Sequence, residues 1–400
     1  MEAWKRNQYV TVAMVFVVFT GFAFVLPFLP LFVHELGVED EATAALWAGV
    51  LIGIAPLAAG LLAPVWGRLA DRRGYKPLTL RALFIYVLLL ALSARVTNVE
   101  QLFGLRLGIG LFGGIGPLGL AMATAAAPRD QTGRAVGLVQ AAQILSAAIG
   151  PFAGGLLADT IGFRGTFLVA AGICAVAFVL VLCLYEERSP SHEKHAAVKQ
   201  TRLADVLRLP HVAGLLAILF LVSFIGRSFT PILPLHLREL GVATTRLSLN
   251  TGLLISVYSL AAALSAAAFG RLSRRHPPAG LLALSLVGGA VSVLPMALVG
   301  RFPPLLACAL LLGLASGGAL TLCYTIGGLA VPGSERGAAF GFFSGAALFG
   351  GAVAPATAGL LSHLALRSIY WVNALLFLLL AVVVAVRPGP EARLRPADPE

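Results

Sequence analysis

Charge is scarce in this chain. Asp, Glu, Lys and Arg together make up 12% of 400 residues, about half the share found in ordinary globular domains. A soluble fold of this length could not cover its surface with so few charges, and a disordered chain would be far more polar. Cysteine is scarce too: Cys174, Cys183, Cys308 and Cys323 lie inside apolar runs with no CxxC spacing. They read as small core side chains rather than disulfides or metal ligands. There is no HExxH, no G-x-S-x-G nucleophile elbow and no P-loop, which argues against an enzyme and against direct use of ATP. His192 and His195 are three apart rather than the four of a zinc-protease helix. The formal charge of +11 comes with no basic tail and no nucleic-acid motif, so nucleic acid is not an expected partner.

What is present is apolar sequence, 58% of the chain at mean hydropathy +0.91. A bilayer-spanning helix needs about 20 mainly apolar residues. Such stretches lie near 8–33, 45–66, 79–96, 100–125, 135–158 and 164–185, then near 211–237, 249–270, 279–299, 303–330, 337–361 and 366–386. The expected fold class is an all-α membrane protein with 12 transmembrane helices, arranged as two pseudo-symmetric six-helix bundles. The expected bundles are residues 1–185 and 211–400, the second with a short cytoplasmic tail. Between them, 186–210 is the one long polar stretch, and it suits either a flexible tether or a short helix on the membrane surface.

The cations set the orientation. Only Arg95, Arg164, Arg238, Arg246, Arg301 and Arg367 fall in one set of loops, whereas 21 of the 29 Lys and Arg fall at the termini and in the other set. Positively charged loops stay in the cytoplasm, so both termini are expected there, in a multi-pass cytoplasmic (inner) membrane protein.

The two halves also repeat. Pro27, Pro30, Glu35 and Gly37 match Pro231, Pro234, Glu239 and Gly241 at an offset of 204, as Pro128, Gly137, Pro151 and Gly155 match Pro332, Gly341, Pro355 and Gly359. Gly67-Arg68-Leu69 matches Gly270-Arg271-Leu272 at 203. Six spans separate the copies, so both halves run in the same sense, a parallel repeat of the kind found in transporters that rock two halves about a midplane site.

Several motifs stand on this frame. The loop Gly67-Arg68-Leu69-Ala70-Asp71-Arg72-Arg73-Gly74-Tyr75-Lys76 sets a carboxylate among cations at a glycine-enabled turn. Ser146-Ala147-Ala148-Ile149-Gly150-Pro151-Phe152-Ala153-Gly154-Gly155 is a stripe of small residues that permits close helix contact around a proline bend. Arg106, with Gly110 four residues on, and Arg227 are cations inside spans, where charge is costly and usually functional. Arg106 suits either a functional role or snorkelling to the interface. Arg227 suits either an aqueous cavity, where it would attract an anionic group, or a bond to carbonyls freed by Pro231 and Pro234. No Asp or Glu falls inside the hydrocarbon part of any span. Gln140, Gln143, Tyr258, Tyr324 and Asn373 are further polar residues within spans, and Phe24, Phe28, Phe224 and Phe343 are candidate apolar walls. Each is a candidate cavity residue that equally suits a contact between helices.

The loop resembles the signature G-x-x-x-D-R-x-G-R-K of the major facilitator superfamily, departing at Tyr75, and 146–155 resembles the G-x-x-x-G-P-x-x-G-G antiporter motif with Ser at its first glycine. Arg106 with Gly110 resembles the R-x-x-q-G motif, Ile109 replacing Gln. Over its whole length the chain resembles 12-span drug:proton antiporters of that superfamily. Trp4-Lys5-Arg6-Asn7, Pro27-Phe28-Leu29-Pro30-Leu31 and Pro64-Val65-Trp66-Gly67 resemble a multidrug efflux subgroup. The resemblance implies export of amphipathic small molecules, driven by proton entry, with no cofactor and no metal. It implies proton coupling at Arg106 and Asp71. It implies conformational gating by Gly67, Asp71, Arg72, Gly74 and Lys76, and by Gly150, Pro151, Gly154 and Gly155. Without an embedded carboxylate, the proton carrier would be Asp71, an edge group such as Glu35, Asp159 or Glu239, or the substrate itself. The alternative is an uncoupled facilitator or importer of a small metabolite, an anionic one included. A bundle of this kind needs no second chain to enclose its cavity, so a monomer is expected.

Overall fold

The computed structural model describes residues 3–128, 131–187, 212–331 and 336–386, without the side chains of 3, 64, 71, 330 and 336–338. Every regular element among them is helical. In chain order these are α1 (Ala3–Val25), α2 (Leu29–Glu35), α3 (Glu41–Arg73), α4 (Tyr75–Ser93), α5 (Val99–Phe112), α6 (Ile115–Ala126) and α7 (Thr132–Leu184). Then follow α8 (Val212–Ser228), α9 (Leu233–Glu239), α10 (Leu247–Leu272), α11 (Pro278–Met296), α12 (Phe302–Ala330), α13 (Arg336–Leu361) and α14 (Ser368–Val386). The 186–210 linker lies almost wholly outside the described residues.

Local chemistry explains the breaks. Pro27 and Pro30 cannot donate to the helix ladder, and a 3-10 turn over Leu26–Phe28 joins α1 to α2. Asp40 caps α3 by accepting from Thr43 N at 2.7 Å, and Asn98 caps α5 by accepting from Gln101 N at 2.9 Å. At 53 residues, α7 would run about 80 Å at 1.5 Å per residue, more than twice a hydrocarbon core of about 30 Å. Gly162, at φ 75° and ψ 170°, breaks it, because only glycine adopts that conformation without strain. Among the described residues ten helices are long and apolar enough to cross a membrane, and α8 with α9, bent by 43°, makes an eleventh if the pair is one broken span. With α7 divided at Gly162, the described helices agree with the twelve expected spans.

By contacts the chain forms two compact units, Met1–Glu193 with Thr230–Ser256, and Lys194–Phe229 with Val257–Glu400. Thus α9 and the start of α10 pack with the first half of the sequence. In the first unit α1 and α4 lie on α7, and α3 on α5; in the second α8 lies on α13, and α11 on α12 and α14.

The repeat is visible in the bonds themselves. Arg164 Nη1 donates to the Ala94 carbonyl at 3.1 Å, and Arg367 Nη1 to the Ala297 carbonyl at 3.2 Å, with both partners displaced by 203 residues. A Cβ at Gly110 would strike the Ala55 backbone, and one at Gly313 the Tyr258 backbone, again 203 apart. Ser146 donates to the Phe16 carbonyl at 2.8 Å, while its counterpart Gly350 lies against the Phe220 backbone, both displaced by 204.

Candidate functional site

The cation-rich signature loop is held from the far end of α7. Glu187 accepts from the backbone N–H groups of Tyr75 and Lys76, so its carboxylate sits where the first turn of α4 presents unpaired donors and the positive end of the helix dipole. Gly74 is required there, since a Cβ would meet the Glu187 carboxylate at 2.6 Å and φ is +92°. Lys76 Nζ donates to the Tyr185 carbonyl at 2.6 Å. Burial pushes the Tyr185 phenol up to about 12. Beside this, Asn7 donates to the Glu186 carbonyl at 2.7 Å and accepts from Glu186 N at 3.0 Å, while Arg6 pairs with the Glu186 carboxylate. Arg72 is exposed, no Cβ at Gly67 would meet a neighbour, and the Asp71 side chain lies outside the described residues.

A break between α5 and α6 at Gly113–Gly114 orphans the last carbonyls of α5. Trp66 Nε1 donates to the Leu111 carbonyl at 2.9 Å and Arg81 Nη2 to that of Phe112 at 3.0 Å. The Arg81 guanidinium also lies 3.7 Å from the Trp66 ring centroid, a cation–π contact that locks the two together.

The glycine-rich stretch of α7 is a seam of close contact. A Cβ at Gly150 would strike Ala23, one at Gly154 the Phe24 backbone, and one at Gly155 the Ser248 backbone. From the other side, Gly252 admits the Pro151 carbonyl, and Phe152 N, still paired at the bend, donates to Ser256 Oγ at 3.0 Å. The small residues are there because α1 and α10 both approach α7 backbone to backbone.

At the cation-poor end, one turn beyond that seam on α7, lies a first polar contact, and α9 makes a second. Asp159 accepts from Ser248 N at 3.2 Å and Leu249 N at 2.9 Å, capping α10. Arg238 pairs with Glu41, and its Nη2 lies 3.3 Å from His34 Nε2. His34 and Arg238 occupy equivalent places in the repeat, 204 apart. Neither they nor Glu187 were singled out by their residue types, since a contact across about 100 residues or more leaves no mark in local sequence. The shared offset of 204 was the available signal for the first pair.

Arg106 is 2% exposed, with Nε and Nη2 unpaired and its guanidinium 6.0 Å from the Phe167 ring centroid. It lies enclosed within the bundle and does not snorkel to an interface. Phe28 is fully buried, stacked on Phe163 at 5.0 Å, and Phe343 is fully buried against Phe340 at 5.7 Å. Asn373 is likewise buried and donates to Ser228 Oγ at 2.7 Å. These three are engaged between helices and present no cavity face in this conformation. Phe24 and Phe224 are each 8% exposed; Tyr324 stacks on Phe340 at 6.0 Å. Gln140 is exposed and Gln143 half-buried on α7. Arg227 is exposed beside Tyr258, its stem running over Gly351. No group of three or more potential metal ligands occurs among the described residues, and all four cysteines are free thiols.

Comparison with known proteins gives the following. The family model described as Major Facilitator Superfamily matches residues 11–251 and 215–400. Multidrug resistance protein MdtG of Proteus mirabilis (strain HI4320) is 32% identical over 326 residues, 81% of each chain. The multi-drug resistance efflux pump PmrA homolog of Lactococcus lactis subsp. lactis (strain IL1403) is 34% identical over 74% of this chain and 73% of its own. A solved bacterial homolog of the human lysosomal transporter Spinster superposes with a TM-score of 0.75 over 95% of both chains at 14% identity, a likeness of fold.

Proposed function

This chain belongs to the Major Facilitator Superfamily and is a membrane transporter rather than an enzyme, and from that premise we propose that it exports small amphipathic compounds in exchange for protons. Likeness over most of the chain to proteins named for multidrug resistance and multidrug efflux is the observation that carries this reading. The cation-rich end is cytoplasmic, following the positive-inside rule, so both termini of this inner-membrane protein lie in the cytoplasm; the chain works as a monomer, since a bundle of this kind needs no second chain to enclose its cavity. Arg106, an enclosed cation with two unpaired nitrogens, is the coupling residue: a proton arriving on a neighbouring group or on the substrate changes its electrostatic balance.

The absence of Asp and Glu from the hydrocarbon part of the spans favours the second reading, an uncoupled facilitator or importer of a small metabolite. Proteoliposomes loaded with cationic, neutral or anionic fluorescent amphiphiles decide between them. Exporter behaviour is uphill movement of at least one amphiphile under an imposed pH gradient, lost in Arg106→Gln. Movement that stops at equal concentrations, whatever the gradient, would sink the exporter reading.

A further inference from the structure

Arg227 lies 15 residues from the start of the α8–α9 span and 12 from its end, taking Val212–Glu239 as its limits, so it is close to the middle. Its side chain is exposed, and no hydrogen bond or ion pair to it is found among the described residues. A guanidinium at that depth cannot rest in hydrocarbon, so this face of α8 borders water. Two glycines clear the space around it. The Arg227 stem passes Gly351 of α13, with Cγ 3.6 Å from where a Cβ would stand. On the other side the Tyr258 hydroxyl of α10 reaches so near Gly226 that a Cβ there would be 2.8 Å from it, and the Tyr258 ring is fixed edge-on to Phe229 at 5.4 Å.

The repeat supplies an internal control. Scaffold bonds recur in both halves, as Arg164 and Arg367 show. At the same offsets, however, Arg227 corresponds to Ala23 (227 − 204) and Tyr258 to Ala55 (258 − 203). Folding the duplicated scaffold therefore does not need this pair.

Phe220, Phe224 and Arg227 recur at i, i+4 and i+7, one face of α8. Phe220 stacks on Phe224 at 6.3 Å and meets Phe349 at 6.0 Å, and Phe349 is 53% exposed. An aromatic strip thus leads to a cation and a phenol, groups that offer hydrogen-bond donors, in spans whose hydrocarbon part carries no Asp or Glu.

We propose that Arg227 and Tyr258 form an anion subsite, and that the substrates it selects are amphiphiles with an acidic head, a carboxylate or sulfonate, and an aromatic or alkyl body that lies along Phe220 and Phe349, with the buried Phe224 ring backing Phe220. The proposal deepens the export reading, since it names the substrate class, but the site is read from binding and stands apart from direction and coupling.

The test uses the purified full chain in detergent with three probes that share a naphthyl body and end in a carboxylate, the uncharged amide or an amine. Competition binding is measured for wild type, Arg227→Lys, Arg227→Gln and Tyr258→Phe, with melting temperature recorded to confirm folding. Wild type is expected to prefer the carboxylate over the amide at least tenfold. Arg227→Gln loses that preference and keeps its affinity for the amide, Arg227→Lys retains part of it, and Tyr258→Phe reduces it severalfold. An unchanged carboxylate preference in folded Arg227→Gln, or no preference in wild type, overturns the subsite. Binding selectivity that depends on Arg227 without uphill transport in proteoliposomes would sustain the subsite and overturn the export reading alone.

Discussion

Asp159 gives the sharpest mechanical prediction. Its carboxylate accepts from Ser248 N at 3.2 Å and Leu249 N at 2.9 Å, so it both satisfies orphan donors of α10 and sits at the positive end of that helix. A hydrogen bond to a charged group contributes about 1.5–3 kcal/mol, and an anion at a helix N-terminus about 0.3–1 kcal/mol. Asp159 is half-buried, so the lower part of the range applies: about 2 kcal/mol for Asp159→Ala and about 1 kcal/mol for Asp159→Asn, which keeps an acceptor. In the proposed transport cycle this contact between α7 and the start of α10 opens and closes once per turnover. Losing about 2 kcal/mol from the closed arrangement raises the open population about 30-fold. Nitroxides at Thr160→Cys and Thr245→Cys, both exposed positions, report the separation by pulsed electron spin resonance. Cys183 and Cys308 are replaced, and Cys174 and Cys323 are buried beyond reach of the label. The expected result is a short distance in the parent, a second, longer distance about 30-fold more populated in Asp159→Ala, and a smaller rise of that distance in Asp159→Asn. Identical distributions in all three would refute the claim that this cap holds the contact closed.

Two further outcomes follow from particular side chains. Gly154→Ala should lower the melting temperature, at a cost of about 1–3 kcal/mol, because its methyl group meets the Phe24 backbone; Gly137→Ala, in the same helix with nothing within 4 Å, should be neutral or stabilising by up to about 1 kcal/mol. Equal effects would show that close approach is not what the motif is for. The Arg6 hydrogen bond holds the Glu186 carboxyl below the usual carboxylate range. A lowered folded pKa means the clasp contributes fully above the unfolded value of about 4.3 and is lost as pH falls through the folded one. Arg6→Gln should therefore melt earlier than wild type at pH 7 and at pH 5 alike, with the gap closing only below about pH 4; a gap that closes between pH 7 and 5 would contradict this.

Fold and site were legible to different depths. The repeat read from Pro27 and Pro231 reappears as paired bonds, Arg164 to Ala94 and Arg367 to Ala297, because a duplicated sequence imposes duplicated packing. The glycines of α7 were legible since a close helix crossing leaves small residues at helical spacing. Their partners were not, because Ala23, Phe24 and Ser248 carry no sign of what approaches them. The span expected at 100–125 stands as Val99–Ala126, but the two-residue break at Gly113–Gly114 that divides it into α5 and α6 was not legible, because hydropathy does not register it. Asn373 and Phe343 suited either a cavity or a contact between helices, and they make contacts between helices; the choice depends on which face of a helix is covered, which weak amphipathicity in an apolar chain does not reveal. Asp159 was legible as an edge acid and a candidate proton carrier but not as a helix cap, a role that depends on an N–H pair about 90 residues away.

Exchange of protons for substrate can be read in a sealed membrane. The purified chain is placed in proteoliposomes with a pH-sensitive dye trapped in an acidic lumen, and an amphiphile it binds is added outside. The account predicts substrate-dependent alkalinisation of the lumen as protons leave in exchange, absent from empty liposomes and lost in Arg106→Gln. Labelled amphiphile entering the lumen while the dye signal matches that of empty liposomes would contradict it and identify a facilitator instead.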